Sequence, residues 1–181
     1  MGNAQTQLTE KEIDEIRDET PFTDAEVQAL LKRYNEMDSS ENNNKGIDYN
    51  EVLVMPEFIG SVFAPLVIAA NVDSKTKLVF ARQFVKICSI LSVQLKPVEK
   101  KKYLFELLDI YGTSLLTHDE IYRMYKLMFS HTVSDDHILA LTFKALSHPK
   151  LEKKGQITKQ EFFKMIPDHE IMNRMTINFE L

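Results

Sequence analysis

Apolar residues recur every three or four positions through most of the chain, and four of these runs open on the same short motif. Thr9 with Glu12, Thr23 with Glu26, Thr117 with Glu120 and Thr158 with Glu161 are four threonine-to-glutamate pairs at the capping-box spacing, each just ahead of an apolar run. Leu8 with Ile13 and Phe22 with Val27 stand where a hydrophobic staple closes over the first two caps. The stripe Val27, Leu30, Leu31, Tyr34, Met37 has helical period. Pro65 opens a helix over 66–70, Phe80 to Leu91 is a further apolar helix, and Pro97 starts one reaching Leu108. Ser134 is placed to cap the helix carrying Ile138, Leu141 and Leu146. About nine short helices result. Only "MTINFEL" alternates like a strand, and it reads as a strand or as an extended arm that could cover a groove.

The helices fall into a repeat. A helix, a polar loop with one aliphatic residue near its end, and a second helix recur around Ile47, Leu78, Leu116 and Ile157. Four helix-loop-helix units of that design are paired EF-hands, in which the aliphatic residues form short strands between neighbouring loops. The predicted fold is all-α: two lobes of paired EF-hands with degenerate calcium loops. The segments are a 1–22 arm with a short helix, an N-terminal pair over 23–95, a C-terminal pair over 96–172, and a tail over 173–181.

Calcium needs six to eight oxygens, several of them anionic, with glycine at the sixth loop position and a bidentate Glu at the twelfth. The first loop, "DSSENNNKGIDYNE" from Asp38 to Glu51, is two residues too long for its ligands to stay in register. The second, near "NVDSKTKLVFAR", ends on Arg82, a cation where a carboxylate belongs. The third keeps Asp109 and Glu120 eleven apart but places Tyr111, Thr113 and Ser114 between them. The fourth keeps Gly155 and Glu161, with Lys150 and Lys154 at ligand positions, where an ammonium could pair with Glu152 or Glu161 in place of the ion. No metal ligand set is expected. The least degenerate loop is that of Asp109, Thr113 and Glu120, where calcium binding would be weak, and Glu120 and Glu161 read first as caps.

Composition narrows the function. A net charge of -5 removes the basic surface that nucleic-acid binding needs. The single Cys88 lies in an apolar helix, as an inert core thiol in a reducing cytosol would. No apolar run is long enough to span a membrane. The five histidines fall at no metal-ligand spacing, and no nucleophile-base pair or phosphate loop is present, so the chain does not read as an enzyme. "MGNAQT" matches the N-myristoylation signal, with Gly2 as acceptor. One acyl chain binds membrane only marginally, so a second signal is needed, and Lys96 with Lys100 to Lys102 is a candidate for attracting anionic lipid. This places the chain in the cytoplasm, peripherally associated with membrane.

With its "MGN" start, "LTEKEIDEIRDETPFT" before the first hand, "VMPEF" after it and a closing "MNRMTINF", the chain resembles the calcineurin B-like EF-hand family over essentially its whole length. "ETPFT" and the tail look most like the calcineurin B homologous proteins, which partner plasma-membrane sodium/proton exchangers. The span from Phe84 to Asp109 is short, as in calcineurin B and the calcium-and-integrin-binding proteins. The resemblance implies a non-enzymatic regulatory subunit that clasps an amphipathic helix of a partner in a hydrophobic groove. That partner would be a transporter tail, or alternatively a phosphatase catalytic subunit or an integrin tail. Met124, Leu127, Met128, Phe162, Met165 and Ile166 are the candidate groove residues.

Overall fold

A computed structural model describes residues 8–38, 46–129 and 132–179. Its fold is an all-α EF-hand fold, in which the contacts divide the chain into two compact units. The first comprises Met1–Leu95 with Met175–Leu181, and the second Lys96–Arg174. Gly2, the expected acyl acceptor, and the long first loop between Asp38 and Gly46 lie outside the described residues.

In the first unit, α1 (Glu10–Glu19) and α2 (Asp24–Met37) both start on complete capping boxes, at Thr9–Glu12 and Thr23–Glu26. The apolar face of α2 buries Val27, Leu30, Leu31 and Tyr34. Strand β1 (Ile47–Asp48) leads into α3 (Tyr49–Leu53), whose first turn is capped by the Asp48 carboxylate. Helix α4 (Ala64–Asn71) carries Pro65 in its first turn, where a missing N–H costs nothing. Strand β2 (Leu78–Val79) then precedes α5 (Ala81–Leu91), which buries Phe84, Val85, Ile87, Cys88 and Leu91. The strands β1 and β2 pair antiparallel, Ile47 opposite Val79, and the Tyr34 hydroxyl donates to the Val79 carbonyl at 3.0 Å. Gly46 is required beside this pairing. Its φ is +76°, and a Cβ there would come within 3.0 Å of the Leu78 Cβ and 3.1 Å of the Phe80 ring.

The tail belongs to this unit. Ile177 N–H donates to the Leu91 carbonyl at 2.7 Å, and Ile177 bridges Ser92 in parallel fashion. The Phe179 ring meets Phe58 edge-on, with centroids 6.2 Å apart, at a small cleft of about 370 Å³ also lined by Leu30, Arg33 and Phe84. Over residues 175–179 the tail is thus an extended arm, seated on the first unit.

In the second unit, α6 (Pro97–Leu108), β3 (Leu115–Leu116) and α7 (His118–Phe129) form one hand. The other hand is α8 (Asp135–Leu146), β4 (Ile157–Thr158) and α9 (Lys159–Met165), followed by a short α10 (Asp168–Arg174). Leu116 pairs with Ile157 across β3 and β4. The core is built from Leu104, Phe105, Leu108, Ile121, Ile138 and Phe162. Two expectations are corrected here. Ser134 holds the N-cap position of α8, yet its hydroxyl bonds the His137 ring nitrogen at 2.7 Å rather than a backbone N–H. Lys100 and Lys101 are buried, so half of the supposed lipid-attracting lysine cluster does not face solvent. Burial pulls the Lys100 ammonium down to about 7. Lys101 instead donates to the Phe163 carbonyl and to Asp168, 2.6 Å away, tying α10 to α6.

Candidate functional site

The second, third and fourth loops close by different devices. In the fourth, the Glu161 carboxylate is already engaged: Oε1 accepts the Glu152 N–H, and Oε2 accepts the N–H and hydroxyl of Thr158, all within 2.8 Å. Those bonds, first the one from the Thr158 backbone, hold its pKa below the usual 4.5. The expected ammonium pairing does not form, because Lys154 Nζ donates to the His148 carbonyl instead. In the second loop, Asp73 accepts from the Lys75 and Thr76 N–H groups and the Thr76 hydroxyl, which folds the loop on itself. Arg82 leaves that loop altogether. It forks across α1, with Nη1 2.9 Å from Glu15 and Nη2 2.7 Å from Glu19.

The third loop comes nearest to an ion site. Asp109 accepts the N–H groups of Thr113 and Ser114 at 2.9 and 2.8 Å, and the Thr113 hydroxyl donates to the Leu115 carbonyl. Ser114 takes the glycine position with φ +60°. Glu120 is fully buried. Its Oε2 accepts from Thr117 N–H and hydroxyl, and its Oε1 has no hydrogen-bond partner. One unclaimed carboxylate oxygen, a half-committed aspartate and a carbonyl fall short of the six to eight oxygens calcium takes. Among the described residues, no group of three or more His, Cys, Asp or Glu side chains converges on a metal-sized space. The Tyr111 hydroxyl, where a third ligand would stand, turns outward to Asp119 at 3.3 Å. These residues do not fit a tightly held calcium ion.

A cleft of about 740 Å³ opens in the second unit between α7, α8 and α9. Its apolar lining is Tyr125 from α7, Leu141 and Ala145 from α8, and Met165 and Pro167 at the end of α9. Lys144, Lys150 and Lys164, with His148, Glu152 and Glu161, form its polar margin. Of the six residues expected to line a groove, Met165 lines this cleft. Met124, Leu127, Met128 and Ile166 are half-buried nearby on α7 and after α9. Phe162 is core, packed edge-on against Phe105 with centroids 5.5 Å apart. The missed residues sit on α8. There Ile138, Thr142 and Leu146 face the core, while Leu141 and Ala145 flank that stripe. A helical wheel drawn for the entering helix as well as the exiting one would have found them.

The chain matches no family model. It is similar to the calcineurin B subunit of Naegleria gruberi, with 25% identity over 98% of this chain and 99% of that protein. The type 2 calcineurin B protein of Dictyostelium discoideum is 26% identical over 92% of this chain and 90% of its own length. The calcineurin B protein of Schizosaccharomyces pombe is 22% identical over 98% and 99%. The likeness supports a calcineurin B-like EF-hand family. Because the matches cover 92–98% of this chain and 90–99% of the relatives, the likeness extends well beyond one shared EF-hand.

Proposed function

We propose that the chain is a non-catalytic regulatory subunit that holds an amphipathic helix of a partner protein in the cleft of the second unit, largely independently of calcium. The observation that carries this reading is the cleft's position beside a loop that is already closed. Glu161, the residue that would clamp an ion at the cleft margin, is satisfied by backbone N–H groups, so the lining residues need no ion to be held in place. Tyr125, Leu141, Ala145 and Met165 supply the apolar floor that a helix with i, i+3, i+4 anchors fits.

Two partners are equally compatible with this surface. A cytoplasmic segment of a membrane transporter, specifically a sodium/proton exchanger, follows from the resemblance of "ETPFT" and the tail. The catalytic chain of a calcineurin-type phosphatase follows from the names of the relatives. An integrin-type tail is the third choice within the family. In the transporter case, acylation of Gly2 would hold the protein at the membrane surface on the cytoplasmic side. No described helix is long and apolar enough to cross a membrane.

The test is capture of defined partners, an exchanger juxtamembrane peptide and a phosphatase catalytic chain, by wild type and Met165→Asp, with and without a calcium chelator. Capture that is lost in a folded Met165→Asp protein but indifferent to chelator supports the reading. Capture that needs calcium, or that survives the substitution, overturns it. Intact-mass measurement on protein from eukaryotic cells tests Gly2 separately, since a free amine there removes the membrane anchor.

A further inference from the structure

We propose that the cleft of the second unit selects an acidic partner: an amphipathic helix whose apolar face meets the floor and whose polar margins carry carboxylates. This rests on the partner-helix reading above and adds the sign of the partner's charge. The floor is apolar, but its margin is asymmetric. Lys144, Lys150 and Lys164 line the cleft and are exposed. Among the described residues, no carboxylate oxygen comes within 4.0 Å of any of the three ammonium groups. Lys126 and Lys159, by contrast, pair with Asp135 and Glu106.

The two acids at the margin do not cancel the lysines. Glu161 turns its carboxylate into the loop backbone, with Lys164 close enough to help hold its charge, which leaves Glu152 as the exposed acid. Three lysines and two glutamates line the cleft, a surplus of one positive charge within a chain whose net charge is -5. The cleft margin is therefore positive on a negatively charged chain, and field lines from a partly apolar concavity are focused outward, where they steer an anionic partner. Concavity also argues against a lipid surface. A flat bilayer would touch the rim lysines and leave the floor of Tyr125 and Met165 uncovered, whereas a helix about 10 Å across can fill it.

The experiment uses the full chain and two fluorescein-labelled model peptides, each about 18 residues or ~27 Å of helix. Both carry the same leucine stripe at i, i+3, i+4 and i+7. One has Glu on its polar face and the other Lys. Fluorescence anisotropy at about 50 mM salt should show the Glu peptide bound at least tenfold more tightly, with the preference shrinking at about 300 mM as screening shortens. The Lys144→Glu, Lys150→Glu, Lys164→Glu triple variant should reverse the preference, and Met165→Asp should release both peptides; circular dichroism verifies that each remains folded. Equal affinity for the two peptides overturns the charge proposal and leaves the groove reading standing. Failure of folded wild type to bind either overturns the groove reading and this proposal with it. A preference that survives Met165→Asp places the seat elsewhere and overturns the proposal. So does lysine-dependent binding to phosphatidylserine vesicles in the absence of any peptide preference.

Discussion

The carboxylate of Glu161 accepts the backbone N–H of Glu152 at 2.8 Å, bridging nine residues across the fourth loop. The same side chain caps α9 through Thr158, so one residue fastens both ends of the loop. Its pKa is lowered in the folded protein by these bonds. Stability from such a group is fully present above the unfolded value of 4.5 and is lost as the pH falls through the folded value. Glu161→Gln keeps the shape and removes the charge. It should lower unfolding free energy at neutral pH by about 1 kcal/mol, the scale of a cap. Urea midpoints of wild type and variant should converge as the pH falls below the folded value, where the wild-type carboxylate is also protonated. A gap that persists undiminished in acid would mean that packing, not charge, is what the substitution removed.

Ser114 sits at φ +60°, a conformation that costs a residue with a Cβ roughly 1 kcal/mol. The third loop has kept the turn after losing the glycine. Ser114→Gly should therefore raise stability, by about 0.5 kcal/mol once the greater freedom of the unfolded glycine chain is set against the relief. A fall in the denaturation midpoint would show that the serine is not strained.

Arg82 holds α1 through Glu15 and Glu19, both partly exposed. Exposed pairs contribute less than about 1 kcal/mol each, so Arg82→Ala should barely move global unfolding. The local effect is larger. Amide exchange across Glu10–Glu19 should accelerate in the variant, and in wild type it should accelerate as salt rises. Unchanged protection of α1 would assign its docking to Ile16 and its apolar neighbours alone.

Phe162 and Met165 lie on one helix three residues apart and should behave oppositely. Phe162 is core, so Phe162→Ala should cost about 3–5 kcal/mol. Met165 lines the cleft, so Met165→Ala should leave folding within about 1–2 kcal/mol and weaken partner capture. Chemical denaturation beside peptide binding separates the two, and equal destabilisation by both would make Met165 a core residue.

How far the sequence could be read depended on how local the deciding bond was. Three capping boxes and the Pro65 helix start follow from residues within a few positions of one another, while the strands at Ile47, Leu78, Leu116 and Ile157 follow from the repeat of the helix-loop-helix unit. Ser134 shows the limit even at short range, since the His137 ring competed for its hydroxyl. Lys100 and Lys101 read as a solvated or lipid-facing run because their burial is decided elsewhere, for Lys101 by Phe163 and Asp168 more than sixty residues on. For the proposed cleft, period marked Met165, but α8, whose three-faced pattern has apolar residues toward core, cleft and solvent, gave no single stripe to follow.

The first unit is discontinuous in the chain: it pauses at Leu95 and resumes only at Met175, after the second has been written out. A ribosome adding about 5–20 residues per second needs roughly 4 to 16 s to cross that gap. Throughout the interval the Phe58 face and the Leu91 carbonyl wait without Phe179 and Ile177. The half that is synthesised first is therefore the half that is finished last. A nascent chain offers that apolar face to whatever reaches it, a chaperone or a partner made at the same time, and the tail arrives as a late competitor for a place already on offer.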